Sequence, residues 1–103
     1  MTAKELVDQI NAASIYTPHS VEDEIGLNVV TEVATLDYDK RRWYVVATMV
    51  FQVGDEFFGV RGPIMLRSES MGYDDLEVKC TAFEMEQVPS VTYKRKALQA
   101  PQL

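Results

Sequence analysis

RRWYVVATMVFQVGDEFFGVRGP, residues 41–63, is the densest run of aromatic and β-branched side chains in the chain, and Gly54-Asp55 sits in its middle. Glycine reaches the positive φ that two-residue hairpin turns require, so this pair predicts a hairpin of definite register. On one face Val53 is expected opposite Glu56, Phe51 opposite Phe58 and Met49 opposite Val60. On the other, Gln52 is expected opposite Phe57, Val50 opposite Gly59 and Thr48 opposite Arg61. Residues 42–53 are apolar on both faces, which predicts a central strand covered at least partly on both sides. Gly62-Pro63 interrupts the third strand, because proline donates no ladder hydrogen bond. Ile64-Met65-Leu66 resumes it after a bulge or bend, at an edge position.

Toward the N-terminus, Leu27 to Leu36 is rich in Val and Thr and reads as the first strand. Residues 37–41, DYDKR, read as a polar turn. A tight loop centred on Asp39-Lys40 places Leu36 opposite Trp43 and Ala34 opposite Val45. Thr2-Ala3-Lys4-Glu5 has the form of a capping box, and Leu6, Val7, Ile10 and Ala13 recur at helical spacing, so a helix starts there. Ser14 to Gly26 lacks either period and reads as a loop.

Toward the C-terminus, Ser68 to Cys80, SESMGYDDLEVKC, carries Tyr73, Leu76 and Cys80 at helical spacing behind Ser and Asp caps, and predicts a short helix. Thr81 to Tyr93 alternates and reads as a last strand, broken or bulged near Pro89. Lys94-Arg95-Lys96 and residues 97–103 read as a solvated, flexible tail. The expected fold class is α+β: residues 1–96 form one domain, with two helices on a mainly antiparallel four-stranded sheet in the order α-β-β-β-α-β.

A chain of 103 residues, 47% hydrophobic and 25% charged, has the size and composition of one globular domain. Its longest uncharged run, Trp43 to Gly54, falls short of the roughly 20 apolar residues of a spanning helix, so no membrane association is expected. MTAKELVDQI places acidic residues where a signal peptide carries its apolar centre, and the single cysteine, Cys80, supports no internal disulfide. Both features suggest a cytoplasmic chain. The net charge of −6 opposes attraction to nucleic-acid phosphates and suits a protein partner with a basic surface.

Catalytic patterns are missing. His19, the only histidine, lies in the Pro18 loop without a serine or cysteine in a recognisable motif, and reads as a solvated loop residue. Cys80 reads as a small buried hydrophobe. Glu22-Asp23-Glu24 reads as a solvated loop, and Asp37-x-Asp39 lacks the glycine and terminal glutamate of a calcium loop. Asp74-Asp75 suits the first turn of a helix. Gly54, Gly59, Gly62 and Gly72 fit no phosphate-binding pattern. Arg41-Arg42-Trp43-Tyr44 could stack a base, but a turn entering a core strand accounts for it. No catalytic, cofactor-binding or metal-binding residue is assigned, and the chain reads as a non-enzyme.

Between Glu69 and Glu86, six acidic residues meet a single lysine, Lys79, with apolar residues among them. Tyr73, Asp74, Asp75, Glu77, Glu84 and Glu86 are therefore the candidate partner-binding residues, an acidic docking surface with an aromatic anchor. The competing reading has Phe83 and Met85 pointing inward and the acids simply solvated.

RRWYVVATMVFQVGDEFFGV, with the later SESM and AFEMEQVPSVTYKRK, resembles the small, acidic, single-domain proteins that bacteriophages encode. The resemblance covers residues 37–96, includes no motif of known role and transfers no functional residue. It implies a protein that binds and inhibits a host factor, such as a polymerase, nuclease or immune effector. A small-ligand pocket between sheet and helices, and a structural or assembly subunit, are the alternatives. Oligomeric state is left open, a dimer included.

Overall fold

The computed structural model describes residues 2–26, 28–76, 78–88 and 92–96. In it Gly54 adopts φ 59° at the turn between two long strands, here β2 (Tyr44–Val53) and β3 (Glu56–Leu66). Every pairing expected from that turn is present, from Val53 opposite Glu56 through Phe51 opposite Phe58 to Thr48 opposite Arg61. The Phe51 and Phe58 rings stack with centroids 5.4 Å apart. The interruption at Pro63 is a bulge: Val46 pairs with Pro63 and Val45 with Met65, leaving Ile64 as the extra residue.

Beyond Arg61, β3 has no strand neighbour on its far side among the described residues, since its pairing with β4 (Thr81–Val88) ends at Arg61 opposite Thr81. The unpaired backbone there is met by side chains instead. Thr17 Oγ1 donates to the Pro63 carbonyl at 2.7 Å, Tyr73 Oη donates to the Ile64 carbonyl at 2.9 Å, and His19 Nε2 contacts that same carbonyl at 2.8 Å. This meets the requirement that buried carbonyls find donors.

The first strand, β1 (Thr31–Lys40), corrects the expected register. Leu36 lies opposite Thr48 and Ala34 opposite Val50, not Trp43 and Val45. Asp37 to Lys40 is strand and not turn; the chain reverses one step later, where the Arg41 amide donates to the Tyr44 carbonyl at 2.8 Å. The ladder is irregular between Leu36 and Asp39, and Asp37 there adopts φ 54°, a left-handed conformation that aspartate tolerates better than most residues.

The segment after Cys80 divides into β4 and β5 (Thr92–Arg95), which pair antiparallel from Val88 opposite Thr92 to Met85 opposite Arg95. Lys94 and Arg95, expected in a tail, are therefore part of the sheet. The result is an antiparallel sheet in the order β1-β2-β3-β4-β5. Residues 97–103, expected as a tail, lie outside the described residues.

Helix α1 (Ala3–Ala13) starts at the expected capping box, with the Glu5 amide donating to Thr2 Oγ1 and the Thr2 amide donating to Glu5 Oε1. The loop expected over Ser14 to Gly26 instead holds a 3-10 turn, Pro18–Ser20, and a short helix α2 (Val21–Ile25). Thr17 caps the turn, Pro18 starts it, and Val21 is driven into the core, which supplies the order that periodicity did not reveal. The short helix expected within Ser68 to Cys80 is one 3-10 turn, Tyr73–Leu76.

α1 and α2 pack on a single face of the sheet. Leu6, Ile10 and Val21 bury against Phe51, Phe58 and Val60 there, each side chain contributing on the order of 1.5–3 kcal/mol. Asn11 fastens the helix to β4 at a place β5 does not reach. Its Nδ2 donates to the Ala82 carbonyl at 3.1 Å, and its Oδ1 accepts the Ala82 amide at 2.8 Å. No described helix is long and apolar enough to cross a membrane.

Candidate functional site

Residues directly opposite in antiparallel strands share a face, so the register sorts every side chain. Val46, Thr48 and Val50 of β2 lie with Gly59 and Arg61 of β3 and with Thr81, Phe83 and Met85 of β4, on the face that α1 and α2 leave uncovered. Val50 and Thr48 are nonetheless almost fully buried, as is Met85. Gly59 is the reason. A Cβ on Gly59 would lie 2.5 Å from Met85 Sδ, 3.0 Å from Thr48 Cγ2 and 3.1 Å from Phe83, so neighbouring side chains fold over the space the glycine leaves.

Beside this packed patch, toward the start of β2 and β4, the uncovered face opens into a depression of about 440 Å³. Arg41, Tyr44, Val46, Arg61, Lys79, Thr81, Phe83 and Arg95 are among the residues that line it. Four of the chain's ten basic residues meet here, and no described Asp or Glu is among the lining residues. In a chain of net charge −6, such segregation concentrates positive potential in a partly enclosed space.

Each cation is held differently. Arg61 Nη1 donates to Thr48 Oγ1 at 3.1 Å and to the Asp37 carbonyl, in the irregular stretch of β1, at 3.0 Å. Both bonds use one nitrogen, which leaves the rest of the guanidinium fork without a hydrogen-bond partner among the described residues. The Arg95 guanidinium lies over the Phe83 ring, 5.0 Å from its centroid. Arg41 is compensated by Asp39, at 2.8 Å through Nε and 2.7 Å through Nη2. Next to Arg41 in the chain, Arg42 covers the Trp43 ring at 4.8 Å, and Arg67 Nη1 donates to the Arg41 carbonyl at 2.7 Å. The Arg41-Arg42-Trp43-Tyr44 stretch is thus both a strand entry and one wall of this basic, aromatic site.

The residues expected to form one acidic docking surface fall in two places. Tyr73, Asp74 and Asp75 belong to the 3-10 turn beside Ile64, where Asp75 Oδ2 accepts the Gly72 amide at 2.7 Å. Glu84 and Glu86 lie on β4 and line another depression, of about 350 Å³, together with Asp55 and Glu56 of the hairpin tip. Glu84 lies opposite Phe58, six residues from Ile64 along β3, so the groups are about 20 Å apart at the rise of a strand. Glu56 Oε1 accepts the Ala3 amide at 2.8 Å, and Glu84 forms an ion pair with Lys96 at 3.8 Å. Glu77 lies outside the described residues. Met85 also lines that acidic depression, whereas Phe83 does not and lines the basic one instead.

His19 is tied to Ile64, and Cys80 is buried behind Gly62, where burial pushes its thiol up to about 12. Neither has the geometry of an activated nucleophile. Among the described residues no group of three or more His, Cys, Asp or Glu side chains could hold a metal ion. The basic site was hidden in the sequence because its residues come from four separate segments. Two signals were usable: the basic, aromatic stretch Arg41 to Tyr44, and the pairing of Thr48 with Arg61, which sets an arginine in mid-sheet. Comparison with family models, with curated proteins and with solved structures finds no match to this chain.

Proposed function

We propose that this protein is a non-enzymatic binding module that receives an anionic group on the uncovered face of its sheet. The observation that carries this reading is the convergence of Arg41, Arg61, Lys79 and Arg95 on one depression with no described carboxylate in its lining, against the acidic balance of the whole chain. Strands β3 and β5 supply Arg61 and Arg95, so these two cations are positioned before a partner arrives. Retention on a phosphate-bearing cation-exchange resin at neutral pH tests it. A uniformly acidic protein flows through, whereas this one should be retarded at low salt. A Lys79→Glu, Arg95→Glu variant should flow through; equal retention of wild type and variant overturns the reading.

A second reading follows from the acidic corner formed by Asp55, Glu56, Glu84 and Glu86. It is the bacteriophage-type inhibitor that docks on a basic surface of a host protein. Charge reversal at Glu84 and Glu86 should then abolish capture of that partner, and reversal at Asp74 and Asp75 should leave it intact. A ligand pocket between sheet and helix has less support, since the depression flanked by Val7, Asp8 and Phe83 is about 220 Å³, below the roughly 300–1,000 Å³ of most ligand sites.

A further inference from the structure

We infer that the anionic guest of the uncovered face is a nucleotide, free or within a short single strand, with its phosphate on Arg61, Lys79 and Arg95 and its base against Tyr44 and Phe83. This rests on the reading of that face as an anion-binding site and gives the anion a chemical class. A depression holding only cations would suit any carboxylate or phosphate. This one places two aromatic residues among them, and a base offers the matching π-face where an acidic peptide does not.

Size agrees with the chemistry. About 440 Å³ lies within the range of small-molecule sites and matches one nucleotide better than a folded partner. The charge of the rest of the chain also limits the guest, because a long polyanion leaving the depression meets a molecule of net charge −6. One nucleotide or a few therefore fit, and a duplex does not. Arg61 is the phosphate anchor: Thr48 and the Asp37 carbonyl hold Nη1, which pre-orients the remaining donors of the fork for a bidentate contact. Arg95 already occupies the face of Phe83, so a base entering there either displaces the guanidinium or stacks on it; both are attractive.

The test is a calorimetric titration of the full chain with the four ribonucleoside monophosphates, with short oligothymidylate, with inorganic phosphate and with oligoglutamate. It is repeated on a Lys79→Glu, Arg95→Glu variant and on Phe83→Leu, each checked for folding by circular dichroism. The inference expects binding of a monophosphate, of the oligothymidylate or of both, the two arms separating the free from the strand-borne source. It expects loss of at least about tenfold in affinity in the charge variant and a clear loss in Phe83→Leu. If oligoglutamate or phosphate binds as tightly as any nucleotide and Phe83→Leu has no effect, the nucleotide assignment falls while the anion-binding reading stands. If no anionic probe binds the folded wild type, both fall.

Discussion

Gly54 and Cys80 show how single positions carry the account. At φ 59° Gly54 has open space where a Cβ would be, so the obstacle to substitution is the backbone and not a neighbour. Gly54→Val should cost about 1–2 kcal/mol or more in a urea melt, because a β-branched residue is poorly suited to the left-handed region. An unchanged midpoint would remove the basis of the register. Cys80 tests burial. A Cβ on Gly62 would collide with its Sγ, and the thiol, held neutral by burial, titrates near 12 against an ordinary 9.0. The unfolded thiol ionises first as pH rises, so this stabilisation is fully present below pH 9 and is lost between 9 and 12. Alkylation at neutral pH should accordingly be slow in the native state and fast in urea, and equal rates would contradict the packing.

At the level of elements, what was legible in the sequence had a local cause. The β2–β3 register follows from one glycine turn, and α1 from a capping box with an apolar stripe; both needed only neighbouring residues. β1 slipped because its ladder is irregular between Leu36 and Asp39 and the chain reverses only at Arg41 to Tyr44, and the Asp37 carbonyl there is met by Arg61 from two strands away, a contact that local sequence does not reveal. The basic site was not legible for the same reason. Arg95 joins it only when β5 pairs with β4, and Lys79 only when the chain before β4 folds back toward Arg61. Two substitutions probe these connections. Asn11→Ala should cost about 1–3 kcal/mol by thermal or urea unfolding, since it strips both backbone partners of Ala82. Gly59→Val should cost about 1–3 kcal/mol by overpacking Met85, Thr48 and Phe83, and a neutral result would mean that the uncovered face is loosely packed.

Across the whole molecule, charge divides by place. Asp55, Glu56, Glu84 and Glu86 gather at the hairpin tip near the start of α1, and Arg41, Arg61, Lys79 and Arg95 gather at the depression on the uncovered face. Net charge averages the two away, which is why composition alone argued against any phosphate-bearing partner. Binding of a short single strand on the basic face should weaken by about twentyfold as salt rises from about 50 to about 200 mM, as expected for roughly three cations meeting phosphates. The most direct measurement of where that binding occurs is a heteronuclear NMR titration of the full chain with a nucleoside monophosphate, following backbone amides. Perturbations should concentrate at Tyr44, Val46, Arg61, Thr81, Phe83 and Arg95. Perturbations confined to Asp55, Glu56, Glu84 and Glu86, or none at saturating ligand, would contradict the assignment of the uncovered sheet face as the binding surface.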